Sequence, residues 1–144
     1  MRLLLILTAC LLAIILVFSL FKNDTARAQS LNIVDKDGDG VWDDIQKAIT
    51  TNYKDPDLIS AQRQIAKAMQ KAILKPADAF NINNELFLAE SCLCAVKRRC
   101  EDDLEFVEEN LINNSARSYA YIKFNAVLSG HLLKGYSPSR SNCK

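Results

Sequence analysis

The chain has almost no net charge, a single histidine, and no stretch in which apolar and polar residues alternate. Its 144 residues carry 18 lysines and arginines against 17 aspartates and glutamates, a formal charge of +1. That balance argues against nucleic-acid binding, which needs a clustered basic excess. The one basic run, Lys97-Arg98-Arg99, is followed at once by Glu101-Asp102-Asp103, as happens where one helix ends and another begins. His131 stands beside Gly130 with no marked nucleophile or orienting acid, so no triad signature is present. Without period-2 alternation no sheet is expected. Internal repeats and low-complexity tracts are absent as well.

Long apolar runs are confined to the N-terminus, where Leu3 to Phe21 is nearly unbroken and is flanked by Arg2 and Lys22. Such a segment directs export or spans a bilayer. Ala26-Arg27-Ala28 has the small-x-small form read by signal peptidases, and Gln29-Ser30 opens a polar stretch. Residues 1–28 are therefore expected to be a cleaved signal peptide, with a retained anchor over residues 3–21 as the alternative. Leu7-Thr8-Ala9-Cys10 has the look of a lipobox, but the apolar residues after it make Cys10 part of the hydrophobic segment. In either case residues 29–144 are expected in the periplasm or outside the cell. A domain of that length buries a modest share of its surface and gains from covalent staples.

Cysteine supplies them. Cys92, Cys94, Cys100 and Cys143 form an even set in an exported chain, which reads as two disulfides. Cys92 and Cys94 are too close to bond each other. Either Cys92–Cys100 goes with Cys94–Cys143, or Cys94–Cys100 goes with Cys92–Cys143. Both arrangements tie the tail to the middle of the chain, and one such bridge contributes about 2–4 kcal/mol. Zinc held by Cys92, Cys94, Cys100 and His131 is disfavoured, because the spacing matches no zinc pattern.

The remaining periodicity is helical. Val41, Ile45, Ala48 and Ile49 predict a helix from Val41 to Tyr53. After Asp55-Pro56-Asp57, a second helix to Leu74 places Leu58, Ala61, Ile65, Ala68, Met69, Ala72 and Ile73 on one face. Ala79, Ile82, Leu86, Ala89, Leu93 and Val96 predict a third, running to about Lys97. A fourth carries Leu104, Val107, Leu111 and Ile112. The last places Ala116, Tyr119, Ala120, Phe124, Val127 and Leu128 in its core stripe, leaves Tyr121 outside it, and ends at Gly130. The tail from His131 is expected to be irregular and held at Cys143. The fold class is all-α: a small bundle of about five helices braced by two disulfides.

One stretch demands a chemical explanation. Asp35-Lys36-Asp37-Gly38-Asp39-Gly40-Val41-Trp42-Asp43-Asp44-Ile45-Gln46 presents carboxylates at alternate positions around a glycine turn. Calcium takes six to eight oxygen ligands, so a short peptide must curl tightly and offer an oxygen at every second residue. Asp35, Asp37 and Asp39 fill the first three places, and Gly40 stands where the backbone must turn. Val41 offers its carbonyl, and Asp43 binds directly or through water. This segment resembles the calcium loops of the EF-hand, dockerin and thrombospondin type 3 families over about a dozen residues. The resemblance implies a last ligand at the twelfth place, normally a bidentate glutamate, which here is Gln46. One neutral oxygen in place of two charged ones implies weak binding, roughly 10⁻⁴–10⁻³ M as in extracellular modules. The whole chain resembles small exported bacterial proteins.

The function expected from these features is non-enzymatic: an exported, calcium-binding helical domain acting as an interaction or structural module of the cell envelope. Its expected partner is another protein, with no nucleic acid, and with membrane contact only through an uncleaved N-terminal segment. The alternative is a small envelope-directed hydrolase using carboxylates such as Glu85, Glu90 or Glu105 as acid and base.

Overall fold

The central helix explains the arrangement of the others. In this computed structural model, which describes residues 31–144, it spans Pro56–Leu74 and packs against each of the remaining four helices. Asp55 caps it, accepting hydrogen bonds from the Asp57 and Leu58 amides at 2.9 and 3.4 Å, and Pro56 occupies the first turn, where a missing N–H costs nothing. Its buried side chains include Ala61, Ala66, Ala68 and Ala72 beside Ile65, Met69 and Ile73. Alanines on several sides let neighbouring backbones approach closely, so one helix can serve as the axis of the bundle.

In chain order the helices are α1 (Asp43–Asn52), α2 (Pro56–Leu74), α3 (Ala79–Val96), α4 (Glu101–Leu111) and α5 (Ser115–Leu128). Single 3-10 turns cover Pro76–Asp78 and Arg140–Asn142. Val34–Lys144 form one compact unit, distinct from the residues before it. There is no strand among the described residues, so the expected all-α architecture is found. Nor is any helix among them long and apolar enough to cross a membrane. The signal segment 1–28 and its alternative anchor 3–21 lie outside the described residues.

The cysteines choose one of the two expected pairings. Cys92 bonds Cys143 and Cys94 bonds Cys100, with Cα–Cα separations of 4.9 and 5.0 Å. The shorter ring links the end of α3 to the start of α4. The longer one fastens the tail, assisted by the Ser139 amide on the Ser91 carbonyl and by Asn142 Nδ2 on Ser91 Oγ. All four thiols are consumed, so none remains as a zinc ligand.

One boundary and part of one face differ from expectation. Helix α1 starts at Asp43, with Trp42 as its cap residue, so Val41 belongs to the acidic loop rather than to the helix. Helix α3 ends at Val96 with Lys97 as its cap residue, as expected. On α5 the buried face is Arg117, Ala120, Phe124 and Leu128, whereas Tyr119 is 60% exposed and Val127 39%. The difference centres on Arg117. Its guanidinium lies over the Trp42 ring, 4.3 Å from the centroid, and Nη1 donates to Asp44 Oδ2 at 2.8 Å and to the Leu111 carbonyl at 3.4 Å. The buried, paired arginine takes a place on the core side of the helix, and Tyr119, Ile122 and Val127 are left exposed. Tyr121 is half-buried and stacks on Phe124, with ring centroids 5.8 Å apart.

Candidate metal centre

The acidic loop closes into a ring before α1 begins. At its mouth the Asp43 amide donates to the Val34 carbonyl at 2.7 Å, and the Lys36 amide donates to Asp43 Oδ1 at 3.0 Å. Inside, Asp35 accepts from the Gly38 and Gly40 amides, each at 3.0 Å, through its two carboxylate oxygens. Asp37 accepts from the Asp39 amide and Asp39 from the Val41 amide. Gly38 and Gly40 adopt φ of +70° and +85°, a left-handed backbone that side-chain-bearing residues avoid. Each carboxylate is thus tied to a backbone N–H a few residues on, and the chain curls around them.

The result brings three of the expected ligands together. One carboxylate oxygen from each of Asp35, Asp37 and Asp39 lies within 4.8 Å of the others, a spacing at which a single cation can be held by all three. Asp43 is not part of that trio, since its carboxylate is engaged with Lys36 at the loop mouth. Val41 is almost fully buried, and among the described residues no donor reaches its carbonyl. Gln46, on the first turns of α1, has a buried Oε1 without a hydrogen-bond partner. An orphaned amide oxygen costs free energy unless something cationic or protic meets it. Every candidate donor is oxygen, the chemistry preferred by calcium or magnesium rather than by zinc or copper.

The loop rests on a support that its own spacing did not reveal. Gln70, buried on α2, donates from Nε2 to the Gly40 carbonyl at 2.9 Å and accepts at Oε1 from the Trp42 amide at 3.0 Å. These two bonds bracket Val41 and fix its peptide. Arg63, also on α2, forms an ion pair with Asp39, and the Lys67 stem passes the α-carbon of Gly40. From the far side Arg117 holds Asp44 and covers Trp42. The apolar stripe expected on α2 leaves Gln70 out, yet Gln70 is buried and clamps another segment.

Comparison with family models, curated proteins and solved structures finds no match. The carboxylates named for the hydrolase alternative are Glu85, Glu90 and Glu105. Glu85 pairs with Lys71, and Glu105 lines an open hollow on α4 with Glu108, Glu109 and Ile112. Glu90 is held above the usual carboxylate range by burial and, secondarily, by repulsion from Glu108. Tyr121 is pushed up to about 12 by burial and by the same two glutamates. His131 lies just past α5, exposed, with its ring edge-on to Phe80 at 5.0 Å.

Proposed function

We propose that residues 29–144 are an exported calcium-binding domain that acts by contact rather than turnover, as an interaction or structural module of the cell envelope whose partner is another protein. The observation that carries the metal half is the convergence of Asp35, Asp37 and Asp39 within 4.8 Å. The orphaned Oε1 of Gln46 twelve residues into the loop supports it. Asp35, Asp37 and Asp39 would hold the ion, with the Val41 carbonyl, Asp43 through water and Gln46 completing its shell. Bound there, the cation would offset the mutual repulsion of the carboxylates and stiffen the entry to α1. Export is supported by the two disulfides, which persist in oxidising compartments.

The deciding experiment is calorimetric titration of the full chain with calcium, paired with thermal melts in calcium and in chelator. Binding near 10⁻⁴–10⁻³ M is expected, with a rise in melting temperature that Asp37→Asn abolishes. No heat and superimposable melts would overturn the reading.

A further inference from the structure

Beside the loop runs a groove of about 310 Å³ lined by Ser60, Arg63, Gln64, Lys67, Lys71 and Lys144, with Glu85 opposite. Arg63, Lys67 and Lys71 recur at steps of four along α2 and so stack on one face. The tail brings the fourth cation. The Cys92–Cys143 bond anchors it, and Gln64 fixes its end, accepting from the Lys144 amide at 3.1 Å and donating to the Asn142 carbonyl at 2.9 Å. Glu85 neutralises Lys71, and Asp39 neutralises Arg63. Among the described residues no carboxylate pairs with Lys67 or Lys144.

Like charges stacked at this spacing repel one another, and a concave surface where cations outnumber carboxylates concentrates the opposite ion. We propose that this groove binds a phosphate monoester and that calcium in the adjacent loop strengthens the binding. A phosphate dianion offers three oxygens and two charges to several ammonium groups at once, whereas a lone carboxylate offers two oxygens and one charge. Lysines serve as point charges for phosphate, and Arg63 adds a planar fork. The coupling rests on the calcium reading and arises at the shared wall, where Asp39 meets Arg63 and Gly40 backs on Lys67. A divalent cation among Asp35, Asp37 and Asp39 cancels negative charge that otherwise offsets the groove. By linkage, phosphate must then tighten calcium binding by the same factor.

The test is calorimetry on the full chain with glycerol 3-phosphate, first in chelator and then in calcium. A parallel arm compares retention on vesicles containing phosphatidic acid with retention on phosphatidylcholine alone. In chelator, binding is expected in at least one arm, weakened fivefold or more by Lys67→Ala or Lys144→Ala; both side chains are exposed, and circular dichroism confirms that the fold is kept. Response in the soluble arm assigns the phosphate to a small ester, and response in the vesicle arm alone assigns it to a lipid headgroup. No Lys67-dependent binding in either arm overturns the groove. In calcium a tightening of about fivefold is expected, and it should vanish with Asp37→Asn. Its absence overturns the coupling. Phosphate binding in chelator without any calcium heat would sink the metal reading alone.

Discussion

At the scale of single residues, Gln46 decides how strongly the loop holds its ion. Its buried Oε1 lacks a partner, and a carboxylate there would add a charge and a second oxygen. Gln46→Glu is expected to raise calcium affinity about tenfold or more, while lowering the melting temperature in chelator because the new charge is then unpaired. Titration and paired melts check both signs. Glu90 makes a pH-dependent prediction. Its folded-state pKa is raised, chiefly by burial, so the folded chain keeps this proton to higher pH than the unfolded chain does. Stability from this group is therefore fully present below the ordinary glutamate value, about 4.3, and is lost as pH rises through the raised value. Glu90→Gln should be more stable than the parent at neutral pH, and the difference should close in acid. Urea melts at the two pH values measure it.

At the scale of elements, the support beneath the loop comes from α2 and α5. Gln70→Ala would leave the Gly40 carbonyl and the Trp42 amide without their partner, a loss of about 1–3 kcal/mol. Hydrogen exchange should then quicken in residues 35–46, with calcium affinity falling although no candidate ligand has changed. Helices α2 and α3 were legible in the sequence because Asp55 and Pro56 open the first, Pro76 lies just ahead of the second, and an apolar stripe runs through each. Helix α5 was legible as a helix but only partly in its facing. Ala120, Phe124 and Leu128 of the expected stripe are buried, but Tyr119 and Val127 are exposed, and the core side of the helix includes Arg117, whose charge is met by Asp44 and Trp42. The trio of aspartates could be read from spacing alone, because the loop is local. Gln70, Arg63 and Lys67 could not, since only the tertiary packing brings α2 beneath the loop.

At the scale of the whole molecule, the two disulfides carry different loads. Cys94–Cys100 closes a span of 6 residues, and Cys92–Cys143 one of 51. Chain entropy makes the longer closure worth more. Cys143→Ser paired with Cys92→Ser is expected to cost about 2–4 kcal/mol, read as a lower denaturant midpoint, and to release residues 137–144 to proteolysis. The sequence could not choose between the pairings, because neighbouring cysteines two positions apart reach the same distant partners. The pairing found places the small ring wholly inside the large one, so the links never interlace. Each can open or seal without disturbing its companion, and a mild reductant that cuts only the outer link would unfasten the tail from α3 while leaving the turn between α3 and α4 stitched.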